Sequence, residues 1–235
     1  MTVQKEILPK VQQVLFDTLS AKEWVHPFYL ARGTALALQI GHRQSIDFDF
    51  FGGENIDTDK ILRQLRKIGR VELFDRLDDT LNCAVDDVQL SFFSYEYPTL
   101  GDFHGYGNIR IASVLDIALM KLEAISGRGS KKDFIDLFFS LKRFSMSEPF
   151  THYPEKFGID ITNHYHLLKS LVYFEDAENQ PMPLMLKPVC WEEVKKSIVS
   201  QVHSSGRWYW GSPCNPFAFL SKITYPKARN LLSHI

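Results

Sequence analysis

Between residues 45 and 51 the chain reads Ser-Ile-Asp-Phe-Asp-Phe-Phe, large apolar residues alternating with two carboxylates. Successive side chains of a β-strand point to opposite faces, so this text is expected to fold as a strand with Asp47 and Asp49 on one face. Ile46, Phe48 and Phe50 are then directed the other way into a core. Two acids side by side on so apolar a strand are costly to bury unless they hold a cation. Spacing alone does not carry this reading, because Asp57-Thr58-Asp59 repeats it. There the neighbours are polar and a helix begins, so capping explains the acids.

Just upstream lie an apolar run (Phe28, Tyr29, Leu30), a small-residue turn at Gly33–Thr34 and a helix-forming run from Ala35 to Ile40. A turn without bulky side chains ahead of a helix N-terminus offers backbone N–H groups and the positive end of a dipole to a phosphate. The acids a dozen residues later suit Mg²⁺, or Mn²⁺, which takes oxygen ligands and bridges to substrate phosphates. Phosphate cradle, metal ligands and a point charge are the parts needed for nucleotidyl transfer.

Composition narrows the class. At 235 residues the chain is one large domain or a core with an appendage. Its 27 basic and 28 acidic residues leave a formal charge of −1, which excludes a surface built to coat a polyanion. Cys83, Cys190 and Cys214 are odd in number and far apart, which fits neither a disulfide scaffold nor a zinc site and points to the cytoplasm. Without a run of about 18 uncharged apolar residues, no membrane partner is expected.

In order, Ile7, Val11, Val14, Leu15 and Leu19 give an amphipathic helix over residues 3–20. Gly52–Gly53 end the acidic strand, Asp57 or Thr58 caps a helix with Ile61, Leu65 and Ile68 inward, and alternation from Val71 to Tyr97 predicts an antiparallel meander turning at Asp78–Asp79 and Asp86–Asp87. A Gly-rich loop follows, then a helix capped by Ser113. In that helix Lys121 has apolar neighbours at three, four and seven residues, so it either snorkels past the core or reaches an anion. The next helix, KKDFIDLFFSLKRF, is apolar nearly all round. Asp133 is explained by a capping box with Ser130, whereas Asp136 is either salt-bridged to Arg43 or Lys121 or part of a site.

Beyond Phe144 the text changes: two prolines within 145–158, then helices over about 162–174 and 191–201. We therefore expect a core at 1–144 and a mainly helical region at 145–235. His164 and His166 read as surface histidines. Trp208, Tyr209 and Trp210 either pack an edge or, with Arg207, stack on bases.

The segment FYLARGTALALQIGHRQSIDFDFF resembles the first motif of the AbiEii/AbiGii toxin family of nucleotidyltransferases, a branch of the DNA polymerase β-like superfamily. ALMKLEAISGRGSKKDFIDLFF is similar to that family's later motif. Over roughly residues 25–145 the resemblance implies an α/β (α+β) nucleotidyltransferase-like mixed β-sheet flanked by helices. It implies an NTP substrate and Mg²⁺ on Asp47 and Asp49. Gly33 and Thr34 would cradle the triphosphate, and Lys121 would contact it. Asp133 or Asp136 would complete the site, with Arg43 and Ser45 bracing the loop. The acceptor would be tRNA, other RNA or a protein, and the partner a cognate antitoxin. Two departures stand out. Arg32 occupies the place of the family's first glycine, where it crowds the phosphate-binding backbone or itself binds phosphate. Ser91 occupies the place of the third acid found in many superfamily members. Both departures suit a non-catalytic relative that binds a nucleotide or a partner.

Overall fold

The computed structural model describes residues 3–158 and 161–209. Pro9, which lacks an N–H, opens the first helix, α1 (Lys10–Ser20), and a separate 3-10 turn (Lys5–Ile7) stands before it. The single helix expected over residues 3–20 is thus divided. Its buried side is Leu15, Phe16 and Leu19, while Val11 and Val14 are exposed.

The chain then forms β1 (Tyr29–Ala31), α2 (Arg32–Ile40), β2 (Phe48–Gly52) and α3 (Thr58–Leu65), the last capped by Asp57 through Lys60 N–H at 2.8 Å. The expected meander follows as β3 (Val71–Leu77), β4 (Thr80–Val85) and β5 (Val88–Ser94). Asp86 and Asp87 both take positive φ in the β4–β5 turn, a conformation aspartate tolerates better than most residues. Where a loop was expected, β6 (His104–Tyr106) and β7 (Ile109–Ile111) make a short hairpin. Gly107 turns it at φ +56, where a Cβ would lie 2.5 Å from the Ser20 carbonyl.

The described strands form one mixed sheet in the order β3-β4-β5-β2-β1-β7-β6. β2 lies at its centre, antiparallel to β1 and parallel to β5, so Asp49 has Ala31 on one side and Ser91 on the other. Phe48 and Phe50 are fully buried, stacking on Phe16 and Phe92 respectively. Each ring so buried contributes on the order of 2–3 kcal/mol of apolar transfer. This buried core fixes the strand's register and turns Asp49 to the opposite face.

The remaining elements are α4 (Val114–Gly127), α5 (Lys131–Ser140), α6 (Ser147–Phe157), α7 (Ile161–Leu171), α8 (Glu175–Glu178) and α9 (Trp191–Tyr209). α4 packs against α2, α5, α6 and α7, and α9 against α5. The proline-bearing segment 145–158 is helical after all: Pro149 sits in the first turn of α6, where no N–H partner is lost, and Pro154 lies inside it. The last helix runs further than 201, to Tyr209. The side chains of His164, Arg207, Trp208 and Tyr209, and residues Trp210 and Cys214, lie outside the described residues. His166 is exposed with Nε2 3.0 Å from the Ser126 carbonyl. No helix among the described residues is long and apolar enough to cross a membrane.

Candidate active site

β2 begins at Phe48, two residues later than the alternation implied. Asp47 precedes it, and Ile46, expected in the core, is exposed in the loop between α2 and β2. The loop's shape comes from Thr34. Its buried hydroxyl reaches the Asp47 carbonyl and Ser45 Oγ (2.8 Å), tying the acid's backbone to α2. Gly33 and Thr34 were expected in a turn ahead of the helix. They lie instead inside its first turn, because α2 starts at Arg32. Gly33 is needed for another reason: a Cβ there would stand 2.4 Å from Arg43 Nη2 and 3.4 Å from Ser45 Oγ.

Beneath that glycine is a buried ionic cluster. Arg43 grips Asp136 in bidentate fashion, Nε to Oδ1 at 2.7 Å and Nη2 to Oδ2 at 2.9 Å. Lys121 Nζ reaches Asp136 Oδ2 at 2.6 Å and Asp133 Oδ1 at 2.8 Å, so the anions toward which its stripe pointed are these two carboxylates. Asp136 therefore pairs with both bases that its sequence offered. His42, also fully buried, sets Nε2 2.8 Å from Asp136 Oδ1. Burial lowers the His42 pKa despite the nearby carboxylate, so the ring is neutral and Nε2–H donates. Nδ1 is left as a buried bare acceptor. Burial pushes the Asp136 carboxyl up, but Lys121 and Arg43 outweigh it and hold the group well below the usual carboxylate range.

Asp133 does not cap its helix as expected. Its N–H goes to the Ser130 carbonyl at 2.9 Å, and the Ser130 hydroxyl donates to the Asp133 carboxylate instead. Burial raises that carboxyl. Lys121, Arg128 and Ser130 bring it down to about 2. Arg128, from the turn between α4 and α5, places Nε 3.0 Å from Asp133 Oδ2 while its side chain stays 63% exposed, a cation anchored at one edge and open at the other.

The Asp47–Asp49 pair is served less well. Arg32 Nη1 stands 3.5 Å from Asp49 Oδ1, and among the described residues Asp47 has no salt-bridge partner. Burial raises the Asp49 pKa, Arg32 counters it, and Asp47 raises it again. Two half-buried carboxylates, of which Asp49 alone has a loosely held cation beside it and Arg128 close enough to sense it, fit a divalent cation with oxygen ligands. The described residues contain no cluster of three acidic, His or Cys ligands, since Ser91 occupies the register position beside Asp49.

Three parts of this region escaped sequence reasoning. His42 and Arg128 each had a signal, one beside Arg43 and one in the Arg-Gly turn. The third is a strap formed by the residues after α8. Gln44 N–H donates to the Leu184 carbonyl at 2.8 Å, Leu186 and Lys187 N–H donate to the His42 carbonyl at 2.9 and 3.0 Å, and Lys187 Nζ reaches the Ile40 carbonyl. The strap pins residues 40–44, so Arg43 is fixed from both sides. Gly33→Ala forces the Arg43 guanidinium off Asp136, and we expect it to cost about 1–3 kcal/mol. A melting curve would read this as a drop of roughly 2–12 °C.

Residues 13–211 match the family described as "Nucleotidyl transferase AbiEii toxin, Type IV TA system". An uncharacterized protein of Aquifex aeolicus, aq_aa25, is 39% identical over 202 residues, spanning 83% of this chain and 96% of that protein. Among solved structures, a protein of H. pylori described as a nucleotidyltransferase aligns with a TM-score of 0.53 at 17% identity, covering 85% of this chain and 96% of that one. The nucleotidyltransferase toxin MenT4 of Mycobacterium tuberculosis aligns with a TM-score of 0.53 at 14% identity, covering 93% and 86%. At such identities the two structures speak for the fold alone.

Proposed function

The chain belongs to the AbiEii nucleotidyl transferase toxin family, and on that premise we propose that it is a Mg²⁺-dependent nucleotidyltransferase that moves a nucleoside monophosphate from an NTP to an RNA or protein acceptor. The observation that carries this reading is the under-neutralised pair Asp47–Asp49 beside the first turn of α2. These two carboxylates would hold the metal, with Mn²⁺ as a substitute. Bound there, a divalent cation supplies charge for the triphosphate and lowers the pKa of an attacking hydroxyl.

The protein's own groups do the rest. The N-terminal turn of α2, at Arg32, Gly33 and Thr34, faces the phosphate chain with its dipole. Arg128 turns its open edge to the same chain, while Asp133 anchors the other edge. Asp136, Arg43 and Lys121 keep the cluster rigid beneath, so that Asp47 and Asp49 keep their relative placement. We also propose that residues 1–144 form the catalytic unit, with 145–235 as the attached helical region. A cognate antitoxin and a cytoplasmic setting complete the proposal.

A second reading, a non-catalytic nucleotide-binding or partner-binding relative, draws on two observations: the absence of a third acid beside Asp49 and the seat of Arg32 on it. Labelled NTPs incubated with the protein and bulk tRNA separate the readings. We expect label on RNA from the wild type and none from Asp47→Ala or Asp49→Ala. Incorporation that survives both substitutions sinks the catalytic assignment, and binding without incorporation favours the second reading.

A further inference from the structure

Arg32 is the first residue of α2 and takes φ +59, a left-handed conformation that is strained for a non-glycine residue. Strain of this kind persists only where the surroundings hold it. Here the guanidinium lies over two rings, with its carbon 5.1 Å from the centre of Phe51 and 4.6 Å from that of Phe93, and Nη1 is 3.5 Å from Asp49 Oδ1. The ion pair is longer than the 2.7–2.9 Å of a charge-assisted hydrogen bond. The side chain is 38% exposed. The cation is therefore near its carboxylate but not locked to it, in contrast with the bidentate grip of Arg43 on Asp136.

We infer that Arg32 is a displaceable internal counter-cation, which occupies the charge position on Asp49 until a metal arrives and so lowers the site's affinity for free divalent ions. The inference rests on the proposed metal role of Asp47 and Asp49. A guanidinium and a divalent cation on one carboxylate repel each other, so metal entry requires Arg32 to let go of Asp49. The released cation needs an anion, and the phosphate chain proposed to lie at the α2 N-terminus supplies one. The aromatic platform of Phe51 and Phe93 supports the guanidinium without itself carrying charge, so a small pivot leaves the stacking intact. The consequence is that metal loading is favoured in company with a polyphosphate and disfavoured alone.

Titration of Mn²⁺ alone into the full chain, followed by electron paramagnetic resonance of the free ion, tests this. Arg32→Gly relieves the left-handed φ and removes the charge, and Arg32→Gln removes the charge while keeping most of the side chain's length. We expect both to bind Mn²⁺ about tenfold more tightly than the wild type, the screened equivalent of losing one neighbouring positive charge. Arg32→Lys, which keeps the charge, should stay near the wild type, and Asp49→Asn should bind none. Equal Mn²⁺ affinity in the wild type and both neutral variants overturns the role of Arg32 while leaving the metal site standing. Failure of all of them to bind Mn²⁺ overturns the metal site itself, and with it the inference.

Discussion

Asp136→Asn is expected to destabilise the protein by about 3–5 kcal/mol, the usual cost of removing one partner from a buried ionic cluster. The substitution keeps the volume and leaves Arg43 and Lys121, both almost wholly buried, one anion short. It also replaces the acceptor of the His42 Nε2–H bond with an amide of half the acceptor capacity. Against a typical total stability of about 5–15 kcal/mol, so large a loss should appear as a fall of roughly 6–20 °C in Tm.

The same cluster sets the protein's acid lability, and the sign follows from the directions of the shifts. Asp136 and Asp133 are held below the ordinary carboxylate value, so their stabilisation is complete above about pH 4, the pKa in an unfolded chain. It is lost as pH falls from there, for Asp133 down to about 2. His42 is depressed below about 6.5, so below that pH the unfolded chain takes up a proton that the folded chain refuses. Both effects make acid destabilising. Urea denaturation should show stability falling first as pH drops below about 6.5, from His42, and again below about pH 4. A curve flat from pH 7 to 5 would contradict the neutral, buried His42.

What could be read in the sequence was whatever periodicity or capping chemistry states locally. Asp49 flanked by Phe48 and Phe50 declared a two-faced strand, and the meander from Val71 declared itself by alternation and its Asp-Asp turns. Ile46 defeated the same logic, because the side-chain bonds of Thr34 hold residues 45–47 in a loop that no alternation reports. The β6–β7 hairpin was hidden by three-residue strands around Gly105 and Gly107, too short to show a period. α6 was hidden by its two prolines, which composition marks as breakers and position makes tolerable. In the site, Lys121 and Asp136 each stood out as a charge on an apolar helix, yet the Asp136 partners Arg43 and His42 lie 93 and 94 residues away in sequence. The strap of residues 184–187 is bound to the chain before β2 almost entirely by backbone groups, which any sequence possesses.

Asp49→Asn is expected to separate activity from stability. At physiological pH the aspartate is half-buried against Asp47 with Arg32 as a loose counterion, and its raised pKa means that burial and Asp47 together cost more than Arg32 returns. An isosteric neutral residue removes the repulsion and the desolvation of a charge, so Tm should hold or rise slightly. Nucleotidyl transfer should fall by at least about a thousandfold, because the several kcal/mol that a metal-bound carboxylate contributes convert at about 1.36 kcal/mol per factor of ten. Asp47→Asn should act likewise on transfer. If these acids were instead scaffold charges paired with Arg32 and Arg43, the substitution would lower Tm and leave the unmutated protein indifferent to Mg²⁺ and nucleotide. Arg43 is already committed to Asp136, which argues against that pairing. Tm and transfer measured on the same preparations decide the matter: a stable, inactive Asp49→Asn protein marks a residue kept for its chemistry at a cost to the fold, and a destabilised protein with normal transfer would mark the reverse.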